Sequence, residues 1–149
     1  MQVPPVQTPA LTALEALPLR LTPGQDLRPA LEAWFQARQA AEGPGAAWVM
    51  AAVGSLDTAR LRLANAEAAL TVPGPLELVA LSGTLSADGA HLHAAVADAQ
   101  GRVTGGHLQA GSPVRTTLEL VLGWTRAFRF SRRFDPATGY PELVITPGP

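Results

Sequence analysis

The fold is decided by residues 81–108, which read LSGTLSADGAHLHAAVADAQGRVTGGHL. Apolar and polar residues alternate over His91–Ala97 and again over Arg102–Gln109, a pattern typical of half-buried β-strands. The loop between them, Asp98–Arg102, favours a type I turn with Gly101 in the left-handed region. Since so short a loop joins only antiparallel neighbours, we predict a β-hairpin in this stretch.

The register of this hairpin places the three histidines of the chain on one face of the sheet. His91 and His93 are two positions apart on a strand, so both side chains project from the same side. A pair formed by Asp98 and Arg102 at the turn fixes the count along both strands. That count puts His93 directly opposite His107, with His91 diagonal to it. Cβ atoms of opposed residues lie about 5 Å apart and diagonal ones about 7–8 Å, so we expect the imidazoles to converge.

Convergent imidazoles are suited to a divalent metal ion. Zinc accepts imidazole nitrogen at about 2.1 Å, and three histidines leave a fourth position open for water, a carboxylate or a ligand. Other divalent metals that accept imidazole fit the same donors. Ala95, Ala97 and Gly105 on the same face are small, which leaves room for an ion or a small ligand. The alternative is that the histidines only hydrogen-bond to the backbone and to one another, as they would if the register slipped by one residue.

Outside the hairpin the sequence predicts one long helix and a series of strands. Leu27, Leu31 and Phe35 recur at helical spacing after Asp26, a candidate N-cap, and Gly43–Gly45 ends the pattern. Further strands are expected at Leu17–Leu21, Ala46–Val53, Ala59–Leu63, Leu76–Leu85, Val114–Gly123, Thr125–Phe134 and Leu143–Ile145. One helix among many adjacent strands indicates an α+β fold, a mostly antiparallel sheet of about six to eight strands with one principal helix packed on it.

Three local expectations accompany this pattern. The continuous apolar run Ala46–Val53 predicts a central strand buried on both faces. Gly54 and Ser55 predict a turn directly after it. Residues 64–74 are expected to form a loop before the next strand.

Length and composition bound the domain organisation. The 149 residues suit one domain, expected over residues 14–149, after a flexible arm over residues 1–13 that Pro4, Pro5 and Pro9 interrupt. The absence of cysteine excludes disulfides, thiolate metal sites and a cysteine nucleophile. The start lacks the pattern of a signal peptide, and no apolar run approaches about 18 residues, so we expect a cytoplasmic protein with no membrane span.

The charge balance argues against general nucleic-acid binding. The chain has 11 basic residues, all arginine, and 12 acidic residues, for a formal net charge of −1. It therefore lacks the positive field of a non-specific nucleic-acid binder. A local basic stretch interleaved with phenylalanine is the one candidate for nucleic-acid or subunit-interface contacts. Its members are Arg126, Arg129, Arg132 and Arg133.

Several segments together resemble the signature of the plant and prokaryote conserved (PPC) domain family. They are an apolar-Ser-Gly-Thr strand at Leu81–Thr84, a His-x-His strand at His91–His93, an Asp-x-x-Gly turn and a Gly-Gly-His-Leu segment at Gly105–Leu108. Residues 134–143 resemble the tail of the bacterial members, and the likeness runs from about residue 17 to residue 145. The Arg-Gly-Arg-Pro core of an AT-hook is absent, as in stand-alone bacterial members.

The resemblance implies a mostly antiparallel sheet with one principal helix, assembled as a homotrimer. It also implies a link to DNA, because plant members carry the domain beside AT-hooks and act as nuclear DNA-binding regulators. Some bacterial members suggest a metal at the three histidines. The sequence thus predicts a non-enzymatic homotrimer that binds a divalent metal, expected to be zinc, and a small ligand through His91, His93 and His107.

Two alternatives stay open. One is a DNA-associated regulatory protein, as the family implies. The other is a metal-dependent hydrolase that uses zinc-bound water with a nearby glutamate as base. The sequence places no such base, and it lacks the Gly-x-Ser-x-Gly motif of a serine nucleophile.

Overall fold

The computed structural model describes residues 13–148, which form one helix and eight strands. The elements are β1 (Glu15–Leu21), α1 (Leu27–Glu42), β2 (Ala46–Arg62), β3 (Ala69–Ser86), β4 (Gly89–Ala97), β5 (Val103–Leu108), β6 (Val114–Thr125), β7 (Phe128–Asp135) and β8 (Tyr140–Pro147). The predicted α+β class, the strand number and the single principal helix are confirmed. The predicted arm over residues 1–13 lies, except for Ala13, outside the described residues. No helix in the described part of the chain is long and apolar enough to cross a membrane.

Six strands form one antiparallel sheet in the order β1-β6-β2-β3-β4-β5. The end of β2 also pairs with β5, through Leu61 with Leu108 and Arg62 with His107. This second pairing closes β2, β3, β4 and β5 into a ring of strands. β7 and β8 form a separate two-stranded ribbon.

The core lies between α1 and one face of the six-stranded sheet. Leu27, Leu31 and Phe35 form the fully buried stripe of the helix. Trp124 of β6 is completely buried, and its ring meets that of Phe35 edge to face with 5.8 Å between centroids. Burying such a side chain contributes about 1.5–3 kcal/mol, so this stripe attaches the helix to the sheet. Gly43, with a φ of 87°, ends the helix as predicted.

Asp26 precedes the helix as predicted, but its side chain does not cap it. Its carboxylate instead accepts hydrogen bonds from the amides of Gly111 and Ser112, at 2.6 and 3.1 Å. The tertiary fold brings these two donors within reach, and bonds to a charged acceptor are stronger than those between neutral groups. Asp26 therefore holds the start of α1 against the loop between β5 and β6.

The turn predicted at Gly54 and Ser55 is wrong, because β2 continues through both residues. The pairing of β2 with β6 shifts register between Val49 and Ala51 and again between Gly54 and Leu56, so the strand bends at bulges instead of reversing. A Cβ atom at Gly54 would overlap the carbonyl of Thr117 and lie 2.6 Å from the Cα atom of Leu118. Glycine is needed at this position because two strands approach closely. In the sequence, a glycine with this role cannot be distinguished from one that forms a turn.

Two further expectations for this region need correction. Ala46–Val53 is central in the sheet but is not buried on both faces, because Met50 and Val53 are 48% and 58% exposed. The predicted loop over residues 64–74 is shorter than expected, since β3 begins at Ala69. Val53 lies with Val121 in a groove on β1, β2 and β6, which leaves an apolar surface on the described part of the chain.

Candidate metal centre

The β4–β5 hairpin brings the three histidines together as the sequence predicts. His93 lies opposite His107 in the register of the two strands. The turn that sets this register forms as expected, with Gly101 at a φ of 76° and a 2.7 Å ion pair from Arg102 Nε to Asp98 Oδ2. The predicted register is therefore confirmed, and with it the convergence of the imidazoles.

The rings of the three histidines are in mutual contact. The centroid of His93 lies 4.4 Å from that of His107 and 5.1 Å from that of His91. His91 and His107 are stacked, with centroids 5.2 Å apart and planes 9° from parallel. One nitrogen from each ring can be chosen so that all three lie within 4.8 Å of one another. In tetrahedral zinc coordination such nitrogens are about 3.4 Å apart, so the separations in this cluster exceed the coordination distance by at most about 1.4 Å.

Alternation along β4 explains why these side chains face away from the helix. Leu92, Ala94 and Val96 are 1–4% exposed and point into the core. His91 and His93 occupy the intervening positions and therefore project from the opposite face. The core consequently fixes the direction of two of the three potential ligands.

The third histidine is positioned by the closure of the strand ring. Gly106 lies against β2, where a Cβ atom would come within 2.8 Å of the carbonyl oxygen of Arg62. This close approach allows His107 to pair with Arg62 across β2 and β5. Arg62 is thereby brought beside the histidine cluster from a strand distant in sequence.

The surroundings favour neutral rings. Burial lowers the pKa of His91 below its ordinary value of 6.5, Arg132 and the other two histidines lower it further, and Glu142 acts in the opposite direction. Burial, followed by the nearby Arg62 guanidinium, likewise lowers the pKa of His107. A neutral imidazole has a nitrogen lone pair free for a metal, so the donor set fits a divalent cation near pH 7.

The lowered pKa values of His91 and His107 predict a pH-dependent stability in the metal-free protein. Because the folded-state pKa values lie below the unfolded value, the unfolded state binds more protons as the pH falls through this range. The contribution of these two neutral rings to the free energy of unfolding is therefore present above about pH 6.5, the pKa of an unfolded histidine. It is lost as the pH falls through the pKa values that the two rings have in the folded protein. The free energy of unfolding should therefore drop between about pH 7.5 and about pH 5.

Urea denaturation in the presence of a chelator measures this effect. Wild type should lose more stability over that interval than the His91→Gln/His107→Gln double variant, which lacks both titrating rings. Equal losses in the two proteins would show that these histidines do not link stability to pH.

A cleft of about 680 Å³ opens beside His91 and His107. Its charged walls come from five separate parts of the chain: α1, β2, the turn before β4, β7 and β8. The residues concerned are Arg28, Arg62, Asp88, Arg132 and Glu142. An ion held by the histidines would thus lie next to a space large enough for a small molecule.

The structure separates the four arginines of the predicted basic stretch. Arg132 turns toward the cleft, where its guanidinium donates to Thr84 Oγ1 at 3.2 Å and its amide donates to Asp88 at 2.8 Å. Arg126, Arg129 and Arg133 are exposed. Contacts of these residues with nucleic acid or with another subunit stay a prediction.

Sequence reasoning missed Arg62, Asp88 and Glu142 as residues of this site. Arg62 has the pattern of a solvent-facing strand residue, and nothing local indicates that β2 meets β5. Glu142 reaches the cleft only because the β7–β8 ribbon folds back over the sheet, where Phe130 packs against Trp48 at 6.4 Å between ring centroids. No short-range signal in the sequence could have placed these three residues together.

Comparison with known proteins places this arrangement in a family. Residues 10–125 match the family described as the Plants and Prokaryotes Conserved (PCC) domain. The chain belongs to this family. PCC and PPC abbreviate the same name, so the resemblance noted in the sequence is confirmed, and the segment matched contains all three histidines.

Among curated proteins, the chain is similar to two that are named bifunctional protein GlmU. It is 52% identical over 133 residues to the protein of Synechococcus sp. strain JA-3-3Ab and 50% identical over 136 residues to that of strain JA-2-3B'a(2-13). These matches cover 89% and 91% of this chain, which spans only 21% of the length of either relative. PCC-family sequence thus also occurs as part of a longer protein.

Among solved structures, a hypothetical protein from Salmonella enterica is 42% identical, with a TM-score of 0.86 over 92% of this chain and 96% of that one. A protein of Archaeoglobus fulgidus described as metal-containing is 26% identical, with a TM-score of 0.69 over 90% of this chain and 98% of that one. A Ralstonia eutropha protein provisionally described as DNA-binding is 21% identical, with a TM-score of 0.71 over 87% of this chain and 90% of that one. At that identity it shows the fold alone.

Proposed function

We propose that this PCC-domain chain forms a homotrimer and binds one divalent metal ion, expected to be zinc, through His91, His93 and His107. The observation that carries the proposal is the set of three imidazole nitrogens within 4.8 Å of one another on facing strands. The description of the Archaeoglobus fulgidus relative as metal-containing supports it. The three rings would hold the ion, which would supply positive charge and an open ligand position facing the cleft. No residue is assigned a catalytic role.

A second copy of the chain is the proposed occupant of the exposed apolar sheet face. On this face β1, β2 and β6 form a groove of about 550 Å³ that includes Pro18, Val53 and Val121. Apolar surface of this kind is typical of protein interfaces. Arg20 and Glu119, which are cross-strand partners on β1 and β6, line the same groove and add charged groups of both signs to this otherwise apolar surface. The family resemblance sets the expected number of copies at three.

Native mass spectrometry of untagged protein, combined with elemental analysis of the same sample, tests both parts of the proposal. We expect a trimer that carries about one zinc ion per chain. A monomer at micromolar concentration would refute the assembly. Protein that stays free of metal after incubation with zinc would refute the metal site while leaving the fold unaffected.

DNA association is the second candidate function. The specific observation in its favour is the exposure of Arg126, Arg129 and Arg133 at and before the β7–β8 ribbon. The near-neutral net charge argues against it, as does the register position of Arg133 directly opposite Glu142. If duplex DNA shows no salt-dependent binding to micromolar protein, this candidate is removed.

A further inference from the structure

Two arginines flank the histidine cluster from different strands. Arg62 of β2 is paired with His107, and its positive charge contributes to the lowered pKa of that ring. Arg132 of β7 donates to Thr84, which lies directly opposite His91 in the β3–β4 register. Both side chains line the cleft and are half-buried. One arginine therefore lies beside His107 and the other beside His91.

In the part of the chain that the structure describes, neither arginine lies within ion-pair distance of a carboxylate. Among residues 13–148 no ion pair includes Arg62 or Arg132, whereas Arg28 in the same cleft is paired with Glu32 at 3.0 Å. Among the described residues, the guanidinium of Arg62 has one acceptor, the carbonyl of Ala66 at 3.4 Å. That of Arg132 donates to one hydroxyl and one carbonyl. A guanidinium carries five N–H donors, so most of those in this cleft are free for a ligand.

The charge of the cleft indicates the class of ligand. Asp88 and Glu142 line the same space, and Asp88 already accepts a hydrogen bond from the Arg132 amide. A divalent ion together with Arg62 and Arg132 outweighs these two carboxylates, which leaves a positive site. Guanidinium forks match the geometry of carboxylate and phosphate oxygens, and the metal keeps a position open to an oxygen ligand.

We propose that this cleft binds a small oxyanion, a carboxylate or phosphate group, which reaches the metal with one oxygen and Arg62 and Arg132 with the others. This inference rests on the proposed metal site. The cleft volume of about 680 Å³ is in the range of small-molecule pockets, so a metabolite-sized anion fits this site. Carboxylates and phosphates share the feature that this site would recognise, which is a compact group of anionic oxygens, planar in the first and tetrahedral in the second.

Cobalt-loaded protein provides the test, because visible absorption of Co²⁺ reports a change of its ligands. Inorganic phosphate and succinate are titrated separately into wild type, Arg62→Gln and Arg132→Gln, and the metal content of each sample is measured. We expect a saturable spectral change in wild type with at least one of the two anions. Each variant should keep its cobalt but bind that anion about 10-fold or more weakly, since a charge-assisted hydrogen bond is lost. Arg129→Gln is the matched control, because Arg129 is exposed and outside the cleft, and it should bind as wild type does.

The outcomes separate the two proposals. Response to phosphate alone, or to succinate alone, supports the inference and identifies the oxyanion class. Protein that holds cobalt but responds to neither anion at about 10 mM, or variants that bind as tightly as wild type, would overturn the oxyanion site while the metal site stands. Protein that takes up no cobalt would overturn the metal proposal and this inference together, and the metal analysis identifies that case.

Discussion

His93→Ala protein should lose its zinc, whereas wild type is expected to retain about one ion per chain. His93 faces His107 across the hairpin and touches both other rings, so its removal leaves two nitrogens and an incomplete site. Loss of groups that only orient a metal ligand already costs about 10–100-fold in affinity. Removal of a ligand itself should therefore weaken zinc binding by at least about 100-fold.

Competition with a chromophoric chelator measures the affinity, and elemental analysis measures the content after dialysis. Gln109→Ala is a suitable control, because Gln109 lines the same cleft but is not one of the three convergent histidines. His93 is exposed, so the metal-free variant should keep the unfolding free energy of metal-free wild type within about 0.5 kcal/mol. Unchanged zinc affinity in a folded His93→Ala protein would exclude the three-histidine site.

Gly83→Ala should destabilise the protein by about 3 kcal/mol or more and weaken the metal site as well. Gly83 lies in β3 opposite Leu92 at a φ of 139°, a conformation that residues with a side chain rarely adopt. A Cβ atom there would overlap the carbonyl oxygen of His91 and lie 2.9 Å from the Cα atom of Leu92. Since both contacts are with backbone, relief requires β4 to move, and His91 moves with it.

Thermal unfolding of the metal-free protein should show a midpoint lowered by about 10 °C, given about 3 °C per kcal/mol for a domain of this size. Gly101→Ala separates backbone strain from the clash, because Gly101 also has a positive φ but has no atom within 4 Å of an added Cβ. That control should cost only about 1–2 kcal/mol. If Gly83→Ala were no less stable than Gly101→Ala, the tight approach of β3 to β4 would be refuted.

Histidine placement is the part of the site that could be predicted. The alternation of His91 and His93 and the Asp-x-x-Gly turn are local features, and the hairpin they specify carries the third histidine with it. Short-range geometry is enough here because a hairpin register depends on only a few residues around the turn. The family resemblance rests on the same segments, and the match over residues 10–125 confirms it.

Local signals failed where the backbone serves a distant partner. Gly54 suggested a turn but allows β6 to approach β2, and Asp26 suggested a helix cap but binds the loop that holds Gly111 and Ser112. The conformational freedom of Gly54 and the acceptor group of Asp26 are both used by the fold, but for another partner than the one expected. In each case the partner lies about 60–90 positions away, beyond the reach of any pattern of short period.

The sequence by itself determined an α+β chain of the PCC family and three histidines on one face of a hairpin. The direction of those side chains follows from alternation, and their pairing follows from the turn. Only the tertiary structure decided that Arg62, Arg132 and Glu142 surround them. The physical reason is that β2 closes on β5 and the β7–β8 ribbon packs over the sheet through burial of apolar surface, which is non-directional and leaves no local trace in the residues it brings together.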